Sequence, residues 1–380
     1  MRAGALTGIT GISSHEVRLS RPGLGVGCCP AAARLRLPNN FHLRRFRRFA
    51  TAGHCVSSWG RPHALLAEAS VGDLYIPLRR RILRGMATTV KESFRQYASN
   101  LNITDRQTTI VTNCKNNMVA KLGAELNLHD EKARVIGSWD RDTLTRYLSE
   151  GDVDVMVVLH FQKNEHWHTS DGTAKALARF KAILDKAYPD TPCRVDRNCV
   201  TMKLSQFRLD VVPAFRFTDG SYKIPDTHQK RWISTNPLAF AAAITAVNKT
   251  MAGTFVPLIK MMKGWNREVG WPIRSFHLEC LLYNHYRTYT QSYTYSSTLN
   301  AFFSKLPGYV RKACYDPITG ERVDGYLDNA ALVSDRSKAI AKAEKAVALA
   351  RKAYEDEEKY PSVAIGEWKY LFGEFFPAYG

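Results

Sequence analysis

The sequence predicts an α+β protein in which a mixed β-sheet is followed by a helical domain. Between residues 86 and 235, short strand-like runs alternate with amphipathic helical stretches, a pattern typical of a sheet covered by helices. Beyond Pro237 the strand-like runs largely disappear, and successive segments have helical periodicity. We therefore expect three parts: an Arg-rich extension over 1–85, a sheet-containing core with N-terminal helices over 86–235, and a helical domain over 236–380.

The first 85 residues differ from the rest in charge. They contain 14 arginines, no lysine and three acidic residues, and thus carry +11 of the total net charge of +19. An organellar transit peptide, a nucleic-acid-binding arm built on RRFRR at 44–48, and an upstream stretch preceding a native start at Met86 all fit this bias. We favour the last because the stretch lacks periodicity, and we expect it to be disordered or foreign to the native protein.

The elements of the core follow one another at short intervals. Two helices are predicted between Val90 and about His129, and a short strand follows in ARVIGS. The stretch DRDTLTRYLSEG fits a helical turn or short helix, DVDVMVVLH fits a strand, and TAKALARFKAILDKAYP fits an amphipathic helix stopped by Pro189. Further strands are predicted near CRVDRNCVTMKL and in FRLDVVPAF, which completes the material for a mixed sheet.

The second half contains five segments whose apolar residues recur at helical spacing: LAFAAAITAVNKTM, FVPLIKMMKGWNREV, SFHLECLLYNHYRTY, TLNAFFSKL and SDRSKAIAKAEKAVALARKAYEDEE. The last is rich in Lys, Ala and Glu and could be taken for a coiled coil. Because it is short and its apolar positions are mostly alanine, an amphipathic surface helix is favoured.

Bulk composition excludes several classes of protein. With 45% hydrophobic residues and no long apolar run, the chain is predicted to be globular, cytoplasmic and without a membrane span. Its eight cysteines show no CxxC spacing, so we expect reduced thiols and propose no zinc site. The charge of +8 on residues 86–380 suits anionic ligands such as nucleoside triphosphates without requiring a nucleic acid.

Three aspartates in two strand-like runs carry most of the functional information. Asp152 and Asp154 lie in GDVDVMVVLH, so in a strand they share one face while Val153 and Val155 share the other. Asp210 lies in the apolar run FRLDVVPAF, where an unpaired carboxylate is costly. Like charges on a half-buried strand need a cation, and carboxylate oxygens suit Mg²⁺ or Mn²⁺. The sequence therefore predicts a divalent metal site at these aspartates.

A small-residue turn precedes the first pair. Gly137 and Ser138 follow a predicted strand, and such a turn at a helix start presents backbone N–H groups to an anion. Glycine lets the backbone approach closely, and the serine hydroxyl can donate to a phosphate oxygen. Alone, a Gly-Ser pair is ordinary loop punctuation. Before a D-x-D strand, it predicts a phosphate-binding turn.

Together these features point to nucleotidyl transfer. Three carboxylates can hold two Mg²⁺ ions, one activating an attacking hydroxyl and the other steadying the departing pyrophosphate. Asp210 is also placed to accept the proton of that hydroxyl. The competing interpretation, that the three aspartates are unrelated strand-end acids, accounts for each one singly but poorly for all three with the turn.

The runs GSWDRDT, GDVDVMVVL and RLDVVPAF resemble the pattern of DNA polymerase β-like nucleotidyltransferases. YKIPD, WISTNP, LIKMMKGWN, RSFHLE and the terminal WKYLFGEFFP resemble one branch, the bacterial enzymes related to cyclic GMP-AMP synthase and dinucleotide cyclase, over about residues 86–380. That resemblance implies a polymerase β-like core and synthesis of a cyclic di- or trinucleotide second messenger from ATP, GTP or pyrimidine triphosphates in anti-phage defence.

The resemblance also implies roles for individual residues. Asp152, Asp154 and Asp210 would bind the metal, and Ser138 would contact the triphosphate, as would Lys263 and Ser275 from the helical domain. Arg141-Asp142-Thr143 departs from the commoner Arg-Gly-Thr. Some relatives are conjugated through a small C-terminal residue by an E1/E2-like enzyme, which implies a partner of that kind at Gly380.

Two rival functions remain open at this point. A linear polymerising or RNA-tailing nucleotidyltransferase would use the same metal site. A non-catalytic nucleic-acid-binding module would depend on the basic arm at 44–48 and would bind with steep salt dependence. Among aromatic residues, Tyr222, Trp232 and Tyr286 could stack on a base, although core packing is favoured for each.

Overall fold

The computed structural model describes residues 86–290, 293–328 and 335–380, so the basic extension and its candidate arm lie outside the described residues. All described residues belong to one compact unit. The strands are β1 (Met86–Ala87), β2 (Leu128–Ile136), β3 (Asp152–Leu159), β4 (Cys193–Val195), β5 (Val200–Lys203), β6 (Arg208–Arg216), β7 (Tyr222–Asp226), β8 (Arg231–Thr235) and β9 (Ala378–Tyr379).

The α-helices are α1 (Val90–Asn100), α2 (Asp105–Gly123), α3 (Phe161–Asn164), α4 (Gly172–Ala187), α5 (Pro237–Thr250), α6 (Phe255–Glu268), α7 (Ser275–Tyr286), α8 (Tyr295–Arg311), α9 (Asp335–Glu355) and α10 (Pro361–Phe372). Short 3-10 helices lie at Leu148–Glu150, Glu165–Trp167 and Gly325–Asp328. The predicted α+β class, a mixed sheet followed by helices, is confirmed.

Seven strands form the main sheet, in the order β2-β3-β6-β5-β4, with β7 pairing β6 and β8 completing a hairpin with β7. The β3–β6 pair is parallel and the other pairs are antiparallel. The parallel pair lies between β2 and β5, so it occupies the interior of the sheet. Its strands are accordingly the most apolar, as expected for strands covered on both faces.

One face of the sheet packs on helices and forms the first core. Val153, Val155 and Val157 of β3 are almost fully buried there, together with Phe180 and Leu184 of α4. The alternate β3 residues Met156 and Val158 face the other side, in a smaller cluster with Ala214. The period-2 alternation of β3 therefore sorts its side chains between two faces, as the sequence predicts.

The helices after residue 235 form the second core around α6, whose side chains are buried on nearly every side. Helix α1 packs here rather than on the sheet: the Phe94 ring lies 5.1 Å from the rings of Trp368 and Phe376. β1 pairs with β9 in parallel, which closes the same corner. The packing thus joins the first described helix to the last helices of the chain.

The two halves meet at residue 236. β8 ends at Thr235, and α5 begins at Pro237, where the Asn236 side chain accepts a hydrogen bond from the Ala239 N–H at 3.0 Å. The domain boundary near residue 235 stays a prediction, and this cap gives its local structural reason.

Three elements escape the sequence pattern. The β7–β8 hairpin carries Pro225, which is tolerated away from the centre of a sheet. Helix α10 starts with Pro361 and covers the aromatic C-terminal stretch. The β1–β9 pair joins two-residue segments that are nearly 300 residues apart, and no local pattern signals such a pair.

Among the described residues no single helix is long and apolar enough to cross a membrane, whereas α5 and α6, bent by 110° at their junction, pass such a test only as a pair. The five cysteines in the described ranges are free thiols: Cys114, Cys193, Cys199, Cys280 and Cys314.

Candidate active site

The three aspartates lie on the two interior parallel strands. Asp154 of β3 is paired in register with Asp210 of β6, and Asp152 stands two residues before Asp154 on the same side of the sheet. Val153 and Val155 are buried on the opposite face. Strand alternation and register together therefore bring three carboxylates from distant parts of the sequence to one surface of the sheet.

Two of these carboxylates have partners that orient them. Thr201 of β5 donates its hydroxyl to Asp210 Oδ1 at 2.6 Å. Arg208, which is paired with Asp152 across the parallel strands, contacts the Asp152 carboxylate through Nε. The Asp152 and Arg208 side chains are 41% and 53% exposed, so solvent screens this ion pair and its contribution to stability is small. Asp152 can leave it at little cost.

The third carboxylate is the most strongly perturbed. Burial, followed by the charges of Asp210 and Asp152, raises the pKa of Asp154 to about 7, against the opposing influence of Arg141 and Lys263. Burial also raises the pKa of Asp210, although its hydrogen bond from a neighbouring hydroxyl lowers it. Carboxylates crowded in this way favour either a proton or a bound cation.

The donor set fits a divalent cation. Three carboxylates supply only oxygen ligands, the chemistry that Mg²⁺ and Mn²⁺ prefer, and the raised pKa of Asp154 measures the repulsion that a cation would relieve. With Asp152 turned to Arg208 and Asp210 to Thr201, the described residues hold no group of three His, Cys, Asp or Glu side chains gathered for a metal.

Gly137 is required where the turn passes the aspartates. Its φ of +71° is in the left-handed region, and a Cβ added there would overlap Asp154 Oδ2 and stand 3.2 Å from Asp154 Cγ. Any side chain at this position would push the carboxylate aside. The turn can therefore approach Asp154 this closely only with glycine.

The turn itself is held by backbone hydrogen bonds. Ser138 O accepts from Thr143 N at 2.8 Å and from Leu144 N at 3.0 Å, and Asp142 has a positive φ of 52°. Of the two possibilities that the sequence leaves for DRDTLTRYLSEG, a helical turn or a short helix, the structure has a 3-10 turn at Leu148–Glu150. Residues 137–142 form turns and residues 143–147 are irregular, because long-range contacts of Arg141 and Thr143, described below, fix this segment and local propensity does not include them.

The turn, the aspartates and the helical half line one cleft of about 520 Å³. Its walls include Ser138 from the turn, Asp152 and Asp154 from β3, and Lys263 and Ser275 from α6 and α7. Ser275 is the first residue of α7, so the N-terminal end of that helix faces the cleft. Asp210 stands beside Asp154 through the strand pairing. Five of the seven candidate residues named from the sequence therefore line this cleft, and the other two, Gly137 and Asp210, adjoin it through Asp154.

A buried charge network lies under this cleft. Glu279 of α7 is fully buried and accepts from Arg141 Nε at 2.6 Å and from the Thr143 hydroxyl at 3.0 Å. Lys263 Nζ forms an ion pair with the same carboxylate at 2.6 Å. Burial alone would raise the pKa of Glu279, but Arg141 and Lys263 lower it to about 2. Glu279 is therefore ionised and joins the turn to α6 and α7.

A second lysine fastens the turn to the segment between α1 and α2. Lys260, one turn before Lys263 on α6, is 3% exposed and donates to Asp142 Oδ1 and to Asn102 Oδ1, both at 2.9 Å. Asp142, where the resemblance would have glycine, has a positive φ of 52°, a conformation that aspartate tolerates better than most residues, and its side chain is bound by Lys260.

A larger groove of about 1070 Å³ adjoins the cleft. Phe276 lines both, and the groove continues along the β7–β8 hairpin past several cationic side chains: Arg197, Lys223, Arg231 and Arg322. Asn198 and Asn236 line it as well, although the Asn236 side chain is used as the cap of α5. Arg197 is paired with Asp226, Arg322 is paired with Asp324 and Asp328, and Glu321 also lines the groove, so Lys223 and Arg231 are the lining cations best able to meet a phosphorylated ligand.

The aromatic candidates belong to the core. Tyr222 is 1% exposed, with its hydroxyl within 3.2 Å of both Glu131 oxygens, and Tyr286 is fully buried and donates to Thr298 O at 2.8 Å. Trp232 donates to Trp167 O at 2.7 Å. Core packing, the favoured interpretation, is what the structure has for all three, and Trp232 also lines the larger groove.

Several site residues were missed by sequence reasoning. Thr201 and Arg208 act through strand register, which the sequence leaves open. Glu279 gave a signal that was available: a single carboxylate inside the apolar run LECLLY requires a buried partner. Arg141 was noted only as part of an unusual turn.

The chain is similar to known proteins that synthesise cyclic nucleotides. Residues 88–248 match the model of the Second Messenger Oligonucleotide or Dinucleotide Synthetase domain. The chain is 28% identical over 300 residues to a cyclic AMP-AMP-AMP synthase of an Acinetobacter species, covering 74% of this chain and 84% of that protein.

Solved structures share the fold. The Vibrio cholerae DncV cyclic AMP-GMP synthase has a TM-score of 0.58 at 13% identity, covering 74% of this chain and 97% of that one. CdnC of E. coli MS115-1, in a complex with HORMA-deltaN, has a TM-score of 0.56 at 16% identity, covering 76% and 98%. At these identities the likeness establishes the fold, with its mixed sheet and helical C-terminal region.

Proposed function

We propose that this chain joins two or three nucleoside triphosphates and closes the product into a ring in a divalent-metal-dependent reaction. The chain belongs to the nucleotidyltransferases related to cyclic GMP-AMP synthase, which make cyclic oligonucleotide second messengers. One observation carries the proposal: Asp154 is paired in register with Asp210, with Asp152 on the same face, beside a glycine turn and a cleft. Carboxylates in this arrangement serve phosphoryl chemistry better than any structural purpose.

The metal would be held by Asp152, Asp154 and Asp210. When bound, Mg²⁺ or Mn²⁺ would neutralise the triphosphate and stabilise the departing pyrophosphate. Asp152 would exchange its exposed contact with Arg208 for the cation. The raised pKa of Asp154 supports this role, because a cation relieves the repulsion that its burial imposes.

The attacking hydroxyl would be deprotonated by Asp210. Its carboxylate is fixed by Thr201 through a 2.6 Å hydrogen bond, so its free oxygen keeps one orientation. Burial raises its pKa, which makes it a stronger base than an exposed aspartate. Each bond then forms between the hydroxyl oxygen and the α-phosphorus, and the bond to pyrophosphate breaks.

The triphosphate would lie in the 520 Å³ cleft. Gly137 lets the turn approach, the Ser138 hydroxyl donates to a terminal phosphate oxygen, and Ser275 adds donors from the start of α7. Lys263 contributes positive charge, although its ammonium is bound to Thr143 and Glu279 as the side chains stand.

The second nucleotide, and later the linear intermediate, would occupy the groove beside Phe276. Lys223 and Arg231 in its lining suit the phosphates of a dinucleotide, and its volume of about 1070 Å³ leaves room for the intermediate to turn before ring closure. Since the similar Acinetobacter protein is a cyclic AMP-AMP-AMP synthase, we propose ATP as one substrate. An anti-phage signalling role is consistent with this activity.

Product identification tests the proposal. The purified protein is incubated with labelled ATP, GTP, CTP and UTP and Mg²⁺, and the products are treated with phosphatase. Phosphatase-resistant cyclic products, lost on omission of the metal and in Asp152→Asn and Asp154→Asn, are expected. Phosphatase-sensitive ladders or extension of an RNA primer would identify a linear polymerase instead, and no metal-dependent product from any mixture would refute the proposal.

A conjugating partner of the E1/E2 type at Gly380 is a separate proposal. In the structure, Ala378–Tyr379 pairs with Met86–Ala87, and Gly380 N donates to Ala87 O at 3.3 Å. Conjugation would require this short pairing to open. Mass spectrometry of protein from the native host should detect an adduct at Gly380 during infection, and only the free carboxylate under all conditions would contradict the proposal.

A further inference from the structure

The three buried cations around the phosphate-binding turn, Lys260, Lys263 and Arg141, differ in how many of their N–H donors are free to bind a ligand. Lys263 Nζ has three N–H donors and three acceptors within reach: Thr143 O at 2.9 Å, Thr143 Oγ1 at 3.2 Å and Glu279 Oε1 at 2.6 Å. Lys260 is bound to an aspartate and an asparagine. Lys263 therefore cannot reach a new acceptor without giving up a bond to the protein, and Lys260, which keeps one N–H donor, is not among the residues that line the cleft.

Arg141 is different because only one of its donor groups is used. Its Nε donates to Glu279 at 2.6 Å, while no hydrogen bond from Nη1 or Nη2 is found within the described ranges. Neither Nη atom is among the buried unpartnered polar atoms of those residues, and Arg141 lines the cleft that holds Ser138 and Asp154. Two N–H-bearing nitrogens of a guanidinium therefore remain available beside the candidate phosphate site.

The guanidinium is also held in place. Its central carbon lies 5.3 Å from the centre of the Phe240 ring and 5.6 Å from that of Phe276, and the residue is 8% exposed. Two rings and one carboxylate fix the plane and the direction of the group. A planar, fixed guanidinium with free Nη donors is the side chain best matched to two phosphate oxygens at once.

We infer that Arg141 binds the phosphates of the donor nucleotide directly, and that Glu279 is a positioning residue that orients Arg141 for this contact. Lys263 shares the Glu279 carboxylate and adds charge to the cleft without needing to move. The inference rests on the proposed function, since it assigns the ligand of Arg141 as the triphosphate of that reaction. It also assigns a function to the buried carboxylate of Glu279, which has no other role in the proposed reaction.

Binding without turnover tests this inference. The probes are the α,β-methylene analogue of ATP and AMP, each titrated with Mg²⁺ by calorimetry against the wild type, Arg141→Lys and Glu279→Gln. Arg141→Lys keeps the charge but loses the fork, and we expect the triphosphate analogue to bind about 10- to 100-fold more weakly, with AMP changed less than about 3-fold. Glu279→Gln should reduce the same triphosphate preference while leaving AMP binding in place.

The chain offers matched controls outside the cleft. Arg134 Nε donates to Glu131 at 2.8 Å, and Glu131 also contacts Arg216 and the Tyr222 hydroxyl, so it too binds two cations and a hydroxyl. Arg134→Lys and Glu131→Gln should leave the preference for the triphosphate unchanged. If Glu279→Gln does not fold, because Arg141 and Lys263 lose their shared anion, Arg141→Lys alone, which keeps the charge balance of the network, carries the test.

The outcomes separate the inference from the proposed function. Triphosphate binding by Arg141→Lys at wild-type strength, with wild-type enzyme making a cyclic product, would overturn the inference alone. Loss of AMP binding in parallel with the triphosphate analogue would show a purely structural role and would also overturn it. In steady-state assays, Glu279→Gln should raise KM by a larger factor than it lowers kcat. Partial recovery of KM in Glu279→Asp, which keeps a carboxylate, would support the role of Glu279 in positioning Arg141.

Discussion

Replacing Gly137 by alanine should damage catalysis far more than stability. The substitution places a methyl group where Asp154 Oδ2 now lies, at a φ of +71°. The backbone term alone costs about 1 kcal/mol, the difference between alanine and glycine at positive φ. The added atom also forces the carboxylate to move by about 1 Å, and a displacement of that size at a reacting centre costs roughly 100-fold in rate.

Gly253 supplies the control. It also has a positive φ, +81°, but a Cβ there would meet nothing within 4 Å, and the residue lies between α5 and α6 away from the cleft. Gly253→Ala should therefore show only the backbone term, a fall in melting temperature of about 2–4 °C per kcal/mol, with pyrophosphate release unchanged. Both variants are compared by thermal melting and by the rate of pyrophosphate release at saturating Mg²⁺ and nucleotide.

The reasoning fails if Gly137→Ala releases pyrophosphate within about 3-fold of Gly253→Ala, because the close approach of the turn to Asp154 would then have no catalytic importance. A rate loss that is matched by a loss of folded protein would also contradict it. Circular dichroism at the assay temperature separates the two cases.

Three further predictions follow from the same contacts. Thr201→Val removes the hydroxyl that holds Asp210, and kcat should fall about 10-fold with KM for nucleotide little changed, as measured by steady-state kinetics; equal kcat would contradict the role of Thr201. Because the folded-state pKa of Asp154 is raised to about 7, its protonated form stabilises the metal-free protein at low pH, and this contribution is lost as pH rises from the ordinary carboxyl range through 7. The melting temperature measured in EDTA should fall as pH rises over that range. The dependence of melting temperature on pH should be weaker in Asp154→Asn and in wild type with Mg²⁺. A melting temperature of the wild type in EDTA that does not change with pH would contradict this prediction. Glu279→Ala leaves two buried cations without their shared anion and should lower the free energy of unfolding by about 3–5 kcal/mol in urea titrations, whereas Glu131→Ala, whose side chain is 14% exposed, should lower it by much less. Equal losses in these two variants would show that burial of the network does not matter.

Much of the sheet and of the site could be predicted because the signals are local. Asp152 and Asp154 obey the period-2 rule of a strand, and valines on the intervening positions fix which face is buried. Gly137 before a D-x-D strand is also a local signal, and its physical cause is the near contact with Asp154. These residues carry the chemistry in short sequence words, so a single sequence is enough to find them.

The remaining features depend on contacts between distant residues. The register that places Asp154 beside Asp210 is set by β3 and β6 together, and the sequence gives each strand without the alignment between them. Arg141 and Glu279 are 138 positions apart, and their ion pair decides the shape of the turn after Ser138. A helical turn or short helix was predicted there from local pattern, and the structure has a 3-10 turn at its end, while the buried carboxylate binds the side chains of Arg141 and Thr143.

The central claim is that three carboxylates on adjacent strands gather a divalent cation beside a nucleotide. A crystal structure with Mn²⁺ and the α,β-methylene analogue of ATP, with anomalous scattering at the manganese edge, tests it most directly. We predict manganese peaks within ligand distance of Asp152, Asp154 and Asp210, about 2.0–2.3 Å, with Asp152 released from Arg208. Nucleotide bound in the cleft with no manganese at these carboxylates, and Asp152 still paired with Arg208, would contradict the account.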